Sequence, residues 1–403
     1  MRVLIVTQHF PPDKSGNASR IYDLSVNLSK LGVDVTVLSP HPSFPHGAFE
    51  RVWKLKVVKQ IGKINVVNLW RWQPASRDPN FIERMGYYLI FPIIASIWAI
   101  VHEDSYDIII TSAPPIFTGI PGLIAKKILN KVWVMEVRDL WLDAAISLGF
   151  IKKGSLFEKL TRIYEKTCYF WSDLIGVTTR KLAIDLVSLY SVSKDKIKLV
   201  PNGVDTEYFK PVKTKKKRQI IYTGNVGHAQ DLENVILAIE KLRGLDIKFL
   251  IVGDGDVREY LEKVTRNRGL TDVVIFTGLV PRDKVPEIIS KSLLGIANLK
   301  ELESLEYAMP TKAYEYASCE IPVMGSGSKE LLAFIKESQG GIFVSANPQE
   351  IAEGILFLFE NPKIRVKMGK RGRKFVKRYY DRKEIAKSLK SYIEVLINGK
   401  KCS

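Results

Sequence analysis

The chain has 403 residues, 46% of them hydrophobic, and a formal net charge of +18. This length suits two domains of roughly 200 residues each, and the apolar content excludes an intrinsically disordered protein. The three cysteines, Cys168, Cys319 and Cys402, are widely spaced and show the pattern of neither a disulfide framework nor a metal-ligand pair, which favours a reducing, cytoplasmic setting. Because the N-terminus runs directly into the apolar segment 2–7, we expect a strand there and not a signal peptide.

The first half of the chain alternates short β-rich runs with amphipathic stretches. Apolar runs flanked by helical patterns indicate parallel strands joined by crossover helices. The predicted strands cover 2–7, 33–38, 64–69, 107–111, 132–137, 173–177 and 197–200, and the predicted helices cover 17–31, 81–102, 116–129, 154–171 and 180–190.

One of these helices contains an unusual segment, residues 86–101, which has no charged side chain. As a helix it reaches only about 24 Å, short of the ~30 Å hydrocarbon core of a bilayer, and Pro92 interrupts it. The segment is therefore either a buried crossover helix or a helix that dips into a membrane surface. Basic and aromatic residues beside it have the composition of an interfacial anchor; they are Trp70, Arg71, Trp72, Arg77 and Arg84.

Two loops of the first half follow predicted strands and border the expected ligand crevice. The loop 8–20 contains Gly16, which permits close approach of a ligand, and leads into a helix start that favours anions. A plain strand-to-helix turn gives the same pattern. Arg138 and Asp139 follow the strand 132–137, and a charged pair at a strand end favours function over structure because burying it elsewhere is costly.

The second half repeats the alternation, with predicted strands at 219–223, 247–252, 273–277, 293–297 and 321–324. Three of these strands end in glycine turns, at Gly224, Gly253 and Gly278, and together they predict one lip of a crevice. The pattern is interrupted near 201–218 by Pro201-Asn202-Gly203 and a basic run. We therefore expect a domain 1–200, a domain 201–380, and a basic C-terminal helix 381–403 that crosses back towards the first domain.

The segment 309–325 predicts a loop, a short helix and a buried strand. Pro310 is placed at the first helical position, so Thr311 and Lys312 present backbone N–H groups and a cation suited to a phosphate. Glu315 lies one turn further, where a carboxylate can accept two hydrogen bonds from a ribose diol. A capped helix with an ordinary ion pair between Lys312 and Glu315 is the alternative.

The set and order of these motifs resemble the GT-B glycosyltransferases, in particular glycosyltransferase family four. The resemblance covers essentially the whole chain and depends on the Gly16 loop and the segments 201–205, 252–255 and 310–325. The sequences of 137–141 and 310–312 resemble the subgroup that builds surface polysaccharides with N-acetylated deoxysugars or hexosamines.

The resemblance implies two Rossmann-like α/β domains that face a central cleft. It implies retaining transfer of a sugar, N-acetylated as in that subgroup, from a nucleotide diphosphate donor such as a UDP-sugar. The acceptor would be a lipid-linked or polysaccharide glycan, with neither a metal nor a cofactor.

The resemblance also assigns roles to individual residues. Asp139, Arg138 and Lys312 are the predicted catalytic residues, and Glu315 would hold the ribose. The predicted donor-binding set contains Lys312 and Glu315 together with Gly16, Gly224, Asn225, Gly227, His228, Gly253, Asp254, Val280 and Thr311. On the acceptor side we place His9, Ser15 and Asn17.

Two positions depart from the family pattern. Tyr307, with Glu306 beside it, stands where the family commonly has a glutamate that contacts the donor sugar. No arginine or lysine occurs between Gly224 and Glu240, where the family commonly carries both to neutralise the leaving phosphate. His228, Lys312, Lys300 or Arg282 would have to take that role.

Three other functions were weighed. A dinucleotide-dependent oxidoreductase should show a Gly-x-Gly-x-x-Gly turn after the first strand, and this turn has a single glycine. A nucleotide-sugar epimerase of the same fold stays open. A non-enzymatic basic protein that binds membranes or nucleic acid is suggested by the charge, which is concentrated in 213–218 and 363–403. No nucleic-acid module is visible.

We expect a peripheral protein on the cytoplasmic face of the cell membrane, with Leu89, Ile93 and Trp98 facing outward.

Overall fold

The computed structural model describes residues 1–13, 15–44, 49–73, 81–147 and 149–401. The chain divides into two compact units. Unit 1 comprises residues 1–201 and the residues from 385 onward, and unit 2 comprises residues 202–384.

Unit 1 is built on an eight-stranded sheet in the order β3-β4-β2-β1-β5-β6-β7-β8. All neighbouring strands are parallel except β3, which pairs antiparallel with β4. The strands are β1 Arg2–Thr7, β2 Asp34–Pro40, β3 Lys56–Ile61, β4 Ile64–Leu69, β5 Ile108–Ala113, β6 Val132–Val137, β7 Leu174–Val177 and β8 Ile197–Leu199. The first six helices of the chain are α1 Gly16–Lys30, α2 Phe81–Val101, α3 Gly119–Lys127, α4 Trp141–Ser147, α5 Leu156–Trp171 and α6 Arg180–Tyr190.

Unit 2 is built on a six-stranded sheet in the order β11-β10-β9-β12-β13-β14, with every neighbouring pair parallel. Its strands are β9 Gln219–Thr223, β10 Lys248–Val252, β11 Val274–Gly278, β12 Leu294–Ile296, β13 Val323–Gly325 and β14 Gly341–Phe343. Its helices are α7 Leu232–Lys241, α8 Arg258–Asn267, α9 Val285–Lys291, α10 Thr311–Ser318, α11 Lys329–Ser338, α12 Pro348–Glu360 and α13 Pro362–Tyr379. Helix α14, Arg382–Lys401, ends the described chain.

Each sheet is covered on both faces, as buried parallel strands require. In unit 1, α2, α3, α5 and α6 contribute to one apolar core. On the other face, α1 packs with Ile385, Ala386, Leu389 and Ile393 of α14. Unit 2 likewise has two apolar clusters, one containing α7 and α12 residues and the other α10 and α11 residues.

The prediction missed three elements. Strand β3 joins β4 through a hairpin turn at Gly62, whose φ of +59° favours glycine. Its side chains are mostly exposed, and its three apolar residues neither alternate with polar ones nor form a continuous run. Strand β14 has only three residues, and α4 has only seven. The predicted helix 116–129 is also wrong at its start, because residues 116–118 form a 3₁₀ turn before α3 begins.

Candidate active site

The carboxyl ends of β9, β10 and β11 lie side by side in the sheet of unit 2. Their loops are joined by backbone hydrogen bonds from Gly224 N to Val252 O at 2.9 Å and from Gly253 N to Gly278 O at 3.0 Å. Gly253 has a φ of +144°, and a Cβ there would lie 1.9 Å from Gly224 O. The glycine at 253 is therefore required by the packing of two loops against each other.

Helix α10 begins beside this glycine edge. Pro310 is its N-cap residue and not, as predicted, its first helical residue, and its side chain makes no capping bond. Ala313 N donates to Pro310 O at 3.0 Å. Within the described residues, the N–H groups of Thr311 and Lys312 have no acceptor, so both remain available for an anion.

Lys312 reaches from α10 to the end of β9. Its Nζ donates to the Tyr222 hydroxyl at 2.9 Å and lies 4.2 Å from the centroid of that ring. A Cβ added to Gly224, whose φ is +114°, would lie 3.5 Å from Lys312 Cε. Burial lowers the pKa of Lys312 to about 8, because the charged ammonium is deprived of water.

Glu315 lies one turn along α10 and is half-buried. Its carboxylate makes neither a hydrogen bond nor an ion pair with any described residue. Burial raises its pKa to about 7, against the opposing fields of Arg382, Arg282 and Lys312. The structure thus contains neither part of the alternative interpretation, since α10 has no side-chain cap and Lys312 does not pair with Glu315.

The position of α10 is fixed by Tyr316, which is fully buried. Its hydroxyl accepts from Thr223 N at 2.8 Å and lies 3.1 Å from Thr223 Oγ1. Gly295 of β12 leaves room for the ring, because a Cβ there would lie 2.3 Å from it. These contacts hold the start of α10 against the end of β9.

The other predicted donor residues fall into separate groups. His228, Gly227 and Lys300 line a cavity of about 440 Å³ with residues of α7 and α8. Arg282 lies over the Tyr208 ring at 5.2 Å and acts electrostatically on Glu315. Of the four candidate phosphate cations, the structure therefore brings Lys312 and Arg282 to Glu315, and it brings His228 and Lys300 to the cavity.

Four more positions have local roles. Asp254 accepts a hydrogen bond from Gly255 N at 2.9 Å and lies 3.7 Å from Arg258. The side chain of Asn225 is exposed, and that of Val280 is half-buried. Glu306 pairs with Lys329 at 2.8 Å. Because Glu306 is paired with Lys329, it does not offer a free carboxylate to the donor sugar in place of the glutamate that the family commonly has at position 307.

In unit 1, Arg138 and Asp139 follow β6 at the carboxyl edge of the sheet. Arg138 donates from Nε to Ala113 O at 3.0 Å and from Nη2 to Pro114 O at 3.3 Å, which braces the end of β5. Burial lowers the pKa of Arg138 to about 10. Asp139 Oδ1 is buried without a hydrogen-bond partner, and burial raises the pKa of this carboxyl although Arg138 opposes the shift.

An ion pair that the sequence analysis did not predict lies beneath this edge. Arg20 of α1 binds Glu136 of β6 through two bonds of 2.8 and 3.0 Å, and both side chains are buried. Glu136 is the one charged residue in a strand whose six residues are all buried, and this pattern could have signalled a buried cationic partner.

The predicted acceptor-side residues follow β1. His9 Nδ1 lies 2.8 Å from Asp13 Oδ2, and burial lowers the pKa of His9 despite that carboxylate. Ser15 is the N-cap of α1 and accepts from Ala18 N at 3.1 Å. Asn17 donates to Thr7 Oγ1 at 3.3 Å, while its Oδ1 has no partner. Gly16 adjoins open space.

Arg71 does not belong to the predicted interfacial anchor. Its side chain is buried, with the guanidinium 3.9 Å from the centroid of the Tyr87 ring, so it adds no charge to the surface. Arg84 lies over the Phe150 ring at 4.9 Å, and Arg77 lies outside the described residues. Cys168 and Cys319 are free and buried, and Cys402 also lies outside the described part. No group of three metal-binding side chains occurs among the described residues.

Two family profiles match the chain. "Glycosyltransferase Family 4" matches residues 15–208, and "Glycosyl transferases group 1" matches residues 204–375. WcaI of Escherichia coli K12, a glycosyl transferase named for colanic acid biosynthesis, is 24% identical over 72% of this chain and 74% of its own. An Escherichia coli UDP-Gal:alpha-D-GlcNAc-diphosphoundecaprenol alpha-1,3-galactosyltransferase is 24% identical over 76% of this chain and 80% of its own.

Solved structures share the fold at low sequence identity. Sucrose-phosphate synthase from Thermosynechococcus elongatus gives a TM-score of 0.77 at 16% identity over 99% of this chain and 100% of its own. HepE from Anabaena, in complex with UDP and glucose, gives a TM-score of 0.72 at 13% identity over 98% of this chain and 99% of its own.

Proposed function

Since the chain belongs to the GT-B glycosyltransferases of family 4, we propose that its donor is a nucleotide diphosphate sugar bound at the start of α10. The predicted fold class is confirmed by the same comparisons. The observation that carries the donor proposal is the half-buried carboxylate of Glu315, which has no partner among the described residues. It lies one turn from the start of α10 and from Lys312. Such a carboxylate suits a ribose diol, and such a helix start suits a diphosphate.

Lys312 is the residue proposed to stabilise the leaving diphosphate. An ammonium in a site poor in water interacts strongly with charge that develops in the transition state. An arriving diphosphate would restore the proton that burial makes easier to lose. This role compensates for the arginine and lysine missing from the loop after β9.

Asp139 is proposed to act at the reacting sugar or the acceptor hydroxyl. Its buried Oδ1 has no partner, so one acceptor position is open to a substrate hydroxyl or to developing positive charge. We propose that transfer retains the anomeric configuration, uses no metal, and takes UDP and an N-acetylated sugar as the donor. The UDP in the HepE structure supports UDP as the nucleotide of the donor. The resemblance of residues 137–141 and 310–312 to the polysaccharide subgroup supports an N-acetylated sugar.

A screen of nucleotides and nucleotide sugars by calorimetry tests the donor site. UDP should bind wild-type protein and bind Lys312→Met at least tenfold more weakly. Lys329→Met is a matched control, because Lys329 pairs with Glu306 at the surface. Equal affinity in all three proteins would refute the site. Product analysis after incubation with the donor alone tests the epimerase alternative, because an epimerase would convert the donor without an acceptor.

We further propose a lipid-linked acceptor in cell-surface glycan synthesis and a peripheral location on the cytoplasmic face of the membrane. The diphosphoundecaprenol acceptor in the name of one relative supports the lipid. Within the described residues, one helix, Ile82–Val101, is long and apolar enough to cross a membrane. Phe91, Ala95 and Ala99 of this helix are fully buried in the core of unit 1, so a surface position suits it better than a span.

The outward face of α2 differs from the predicted one. Ile93 and Ile97 are 51% and 58% exposed, whereas Leu89 and Trp98 pack against the core. On α5, which packs on the same face of the sheet, four apolar side chains are also more than half exposed; they are Leu156, Leu160, Ile163 and Phe170. Exposed Lys159 and Lys166 flank them. Apolar side chains flanked by lysines suit an anionic bilayer surface.

Vesicle sedimentation tests the location. Wild-type protein should bind anionic vesicles more weakly at high salt, because each basic residue contributes about 1 kcal/mol at the surface and salt screens that attraction. Replacing Ile93, Ile97 and Leu160 by serine should remove the salt-resistant part. Serine at Leu245 and Ile275, exposed apolar residues of unit 2, is the control. Wild-type protein left in the supernatant at low salt would exclude this location.

A further inference from the structure

Arg71 is a buried cation without a carboxylate partner among the described residues. It follows the carboxyl end of β4 and is 3% exposed. Its Nε and Nη1 have no hydrogen-bond partner, and its Nη2 lies 3.5 Å from His41 O, at the limit of a hydrogen bond. No carboxylate of the described residues lies within 4.0 Å of it.

The carboxylate that acts most directly on Arg71 is already committed. Asp13 Oδ2 lies 2.8 Å from His9 Nδ1, and Asp13 Oδ1 accepts from Ser43 N at 2.7 Å and Phe44 N at 3.0 Å. The guanidinium groups of Arg71 and Arg138 both disfavour protonation of His9. Two guanidinium groups and one carboxylate therefore act on His9.

A small cavity adjoins the same residue. Its volume is about 30 Å³, which is comparable to the share of one water molecule in the liquid and leaves room for one oxygen atom of an anionic group. Besides Arg71, its lining includes Arg51, Trp53, Trp70, Trp72 and Gln73. Trp53 is 73% exposed, so an apolar ring surface extends from the cavity to solvent.

We propose that Arg71 is the anion-binding residue of an acceptor subsite in unit 1 and recognises a phosphate or carboxylate group on the acceptor glycan. The inference rests on the proposed glycosyl transfer. A guanidinium binds a planar carboxylate or a phosphate through two parallel hydrogen bonds from one edge. On the edge formed by Nε and Nη2, Arg71 has only the 3.5 Å contact from Nη2 to His41 O. A bound anion would compensate the positive charge that the fold buries at Arg71. The tryptophans beside the cavity would contact the sugar that carries the anion.

The test uses full-length protein with saturating UDP, so that the proposed diphosphate site of unit 2 is filled. Inorganic pyrophosphate, D-glucuronate and D-glucose are then titrated at millimolar concentrations by calorimetry. Wild-type protein should bind one of the two anions and not glucose. Preference for pyrophosphate would identify a lipid diphosphate as the source, and preference for glucuronate would identify an acidic sugar. The Arg71→Met substitution should weaken binding of that anion at least tenfold.

Thermal unfolding without ligand separates binding from a structural role. Arg71→Met keeps an apolar stem and removes the charge, so its melting temperature should equal or exceed that of wild type. Arg218→Met is the matched control, because Arg218 also lies over an aromatic ring, that of Phe359, at 4.5 Å, and it should leave anion binding unchanged.

Two results overturn the subsite. One is a lower melting temperature of Arg71→Met with wild-type anion affinity, which would make Arg71 a structural brace. The other is binding of UDP to wild-type protein with no binding of either anion. A wild-type protein that fails to bind UDP would instead overturn the proposed donor site.

Discussion

Replacement of Glu315 by glutamine should change stability and nucleotide binding in opposite directions. Burial raises the pKa of Glu315 from 4.5 to about 7. At about 1.4 kcal/mol per pH unit, the ionised carboxylate lowers the free energy of unfolding by up to about 3 kcal/mol at pH 8. Because no described residue binds this carboxylate, Glu315→Gln removes the charge without leaving a partner unpaired.

The sign of the pH dependence follows from linkage. Between pH 4.5 and about 7 the folded protein holds the Glu315 proton more tightly than the unfolded chain does, so wild-type stability falls as pH rises through this window. The advantage of Glu315→Gln should therefore be absent near pH 4.5 and complete above pH 7. Binding should show the reverse effect, since loss of charge-assisted bonds to the ribose costs roughly 1.5–3 kcal/mol, or about 10- to 150-fold in affinity for UDP.

Scanning calorimetry across this pH range and titration with UDP at pH 8 measure the two effects. Glu320→Gln is the control, because Glu320 follows the same helix and lies 3.6 Å from Arg373. It should leave UDP affinity unchanged. A Glu315→Gln protein that is less stable at pH 8 yet binds UDP as tightly as wild type would refute the reasoning and make Glu315 a structural residue.

Three further outcomes are expected. Asp139→Asn should lower kcat about 100-fold or more with nearly unchanged donor affinity, because the interaction forms in the transition state; near-native turnover would exclude the role. UDP affinity should be highest between about pH 7 and 8, since Glu315 is protonated below about 7 and Lys312 loses its proton above about 8; in Lys312→Met the fall above pH 8 should disappear, and its persistence would contradict the assignment. Activity should persist in EDTA, and loss that manganese reverses would refute metal-independent transfer.

Local patterns predicted the regular part of the fold well. The predicted bounds of β1, β4, β6 and β9 agree with the structure, because each is an apolar run buried on both faces. Strand β3 could not be found this way, since it is an exposed edge strand whose three apolar residues form neither a continuous run nor an alternating pattern. The start of α10 was nearly correct because Pro310 and the buried strand after it limit where a helix can begin.

The candidate site was harder to predict because it depends on contacts between distant segments. Lys312 and Glu315 were found as neighbours in one helix, but the bond from Lys312 to Tyr222 spans 90 positions. The pairing of Arg20 with Glu136 spans 116 positions. Arg71 was assigned to a surface anchor from its aromatic neighbours, and only the contact with Tyr87 shows that it is buried.

Three charged groups that have no ion-pair partner among the described residues mark where this fold gives up stability for binding. Glu315 in unit 2, and Asp139 and Arg71 in unit 1, all lie at or just beyond carboxyl strand ends or on a helix beside them. In unit 1, Arg20 and Glu136 show that a buried charge can be paired fully when it serves the fold alone. Since an unpaired buried charge destabilises the folded protein, these three positions are the ones at which substrates would contribute most. Ligands at both units should therefore raise the melting temperature independently, and a variant that neutralises one position should lose only the stabilisation from its own ligand.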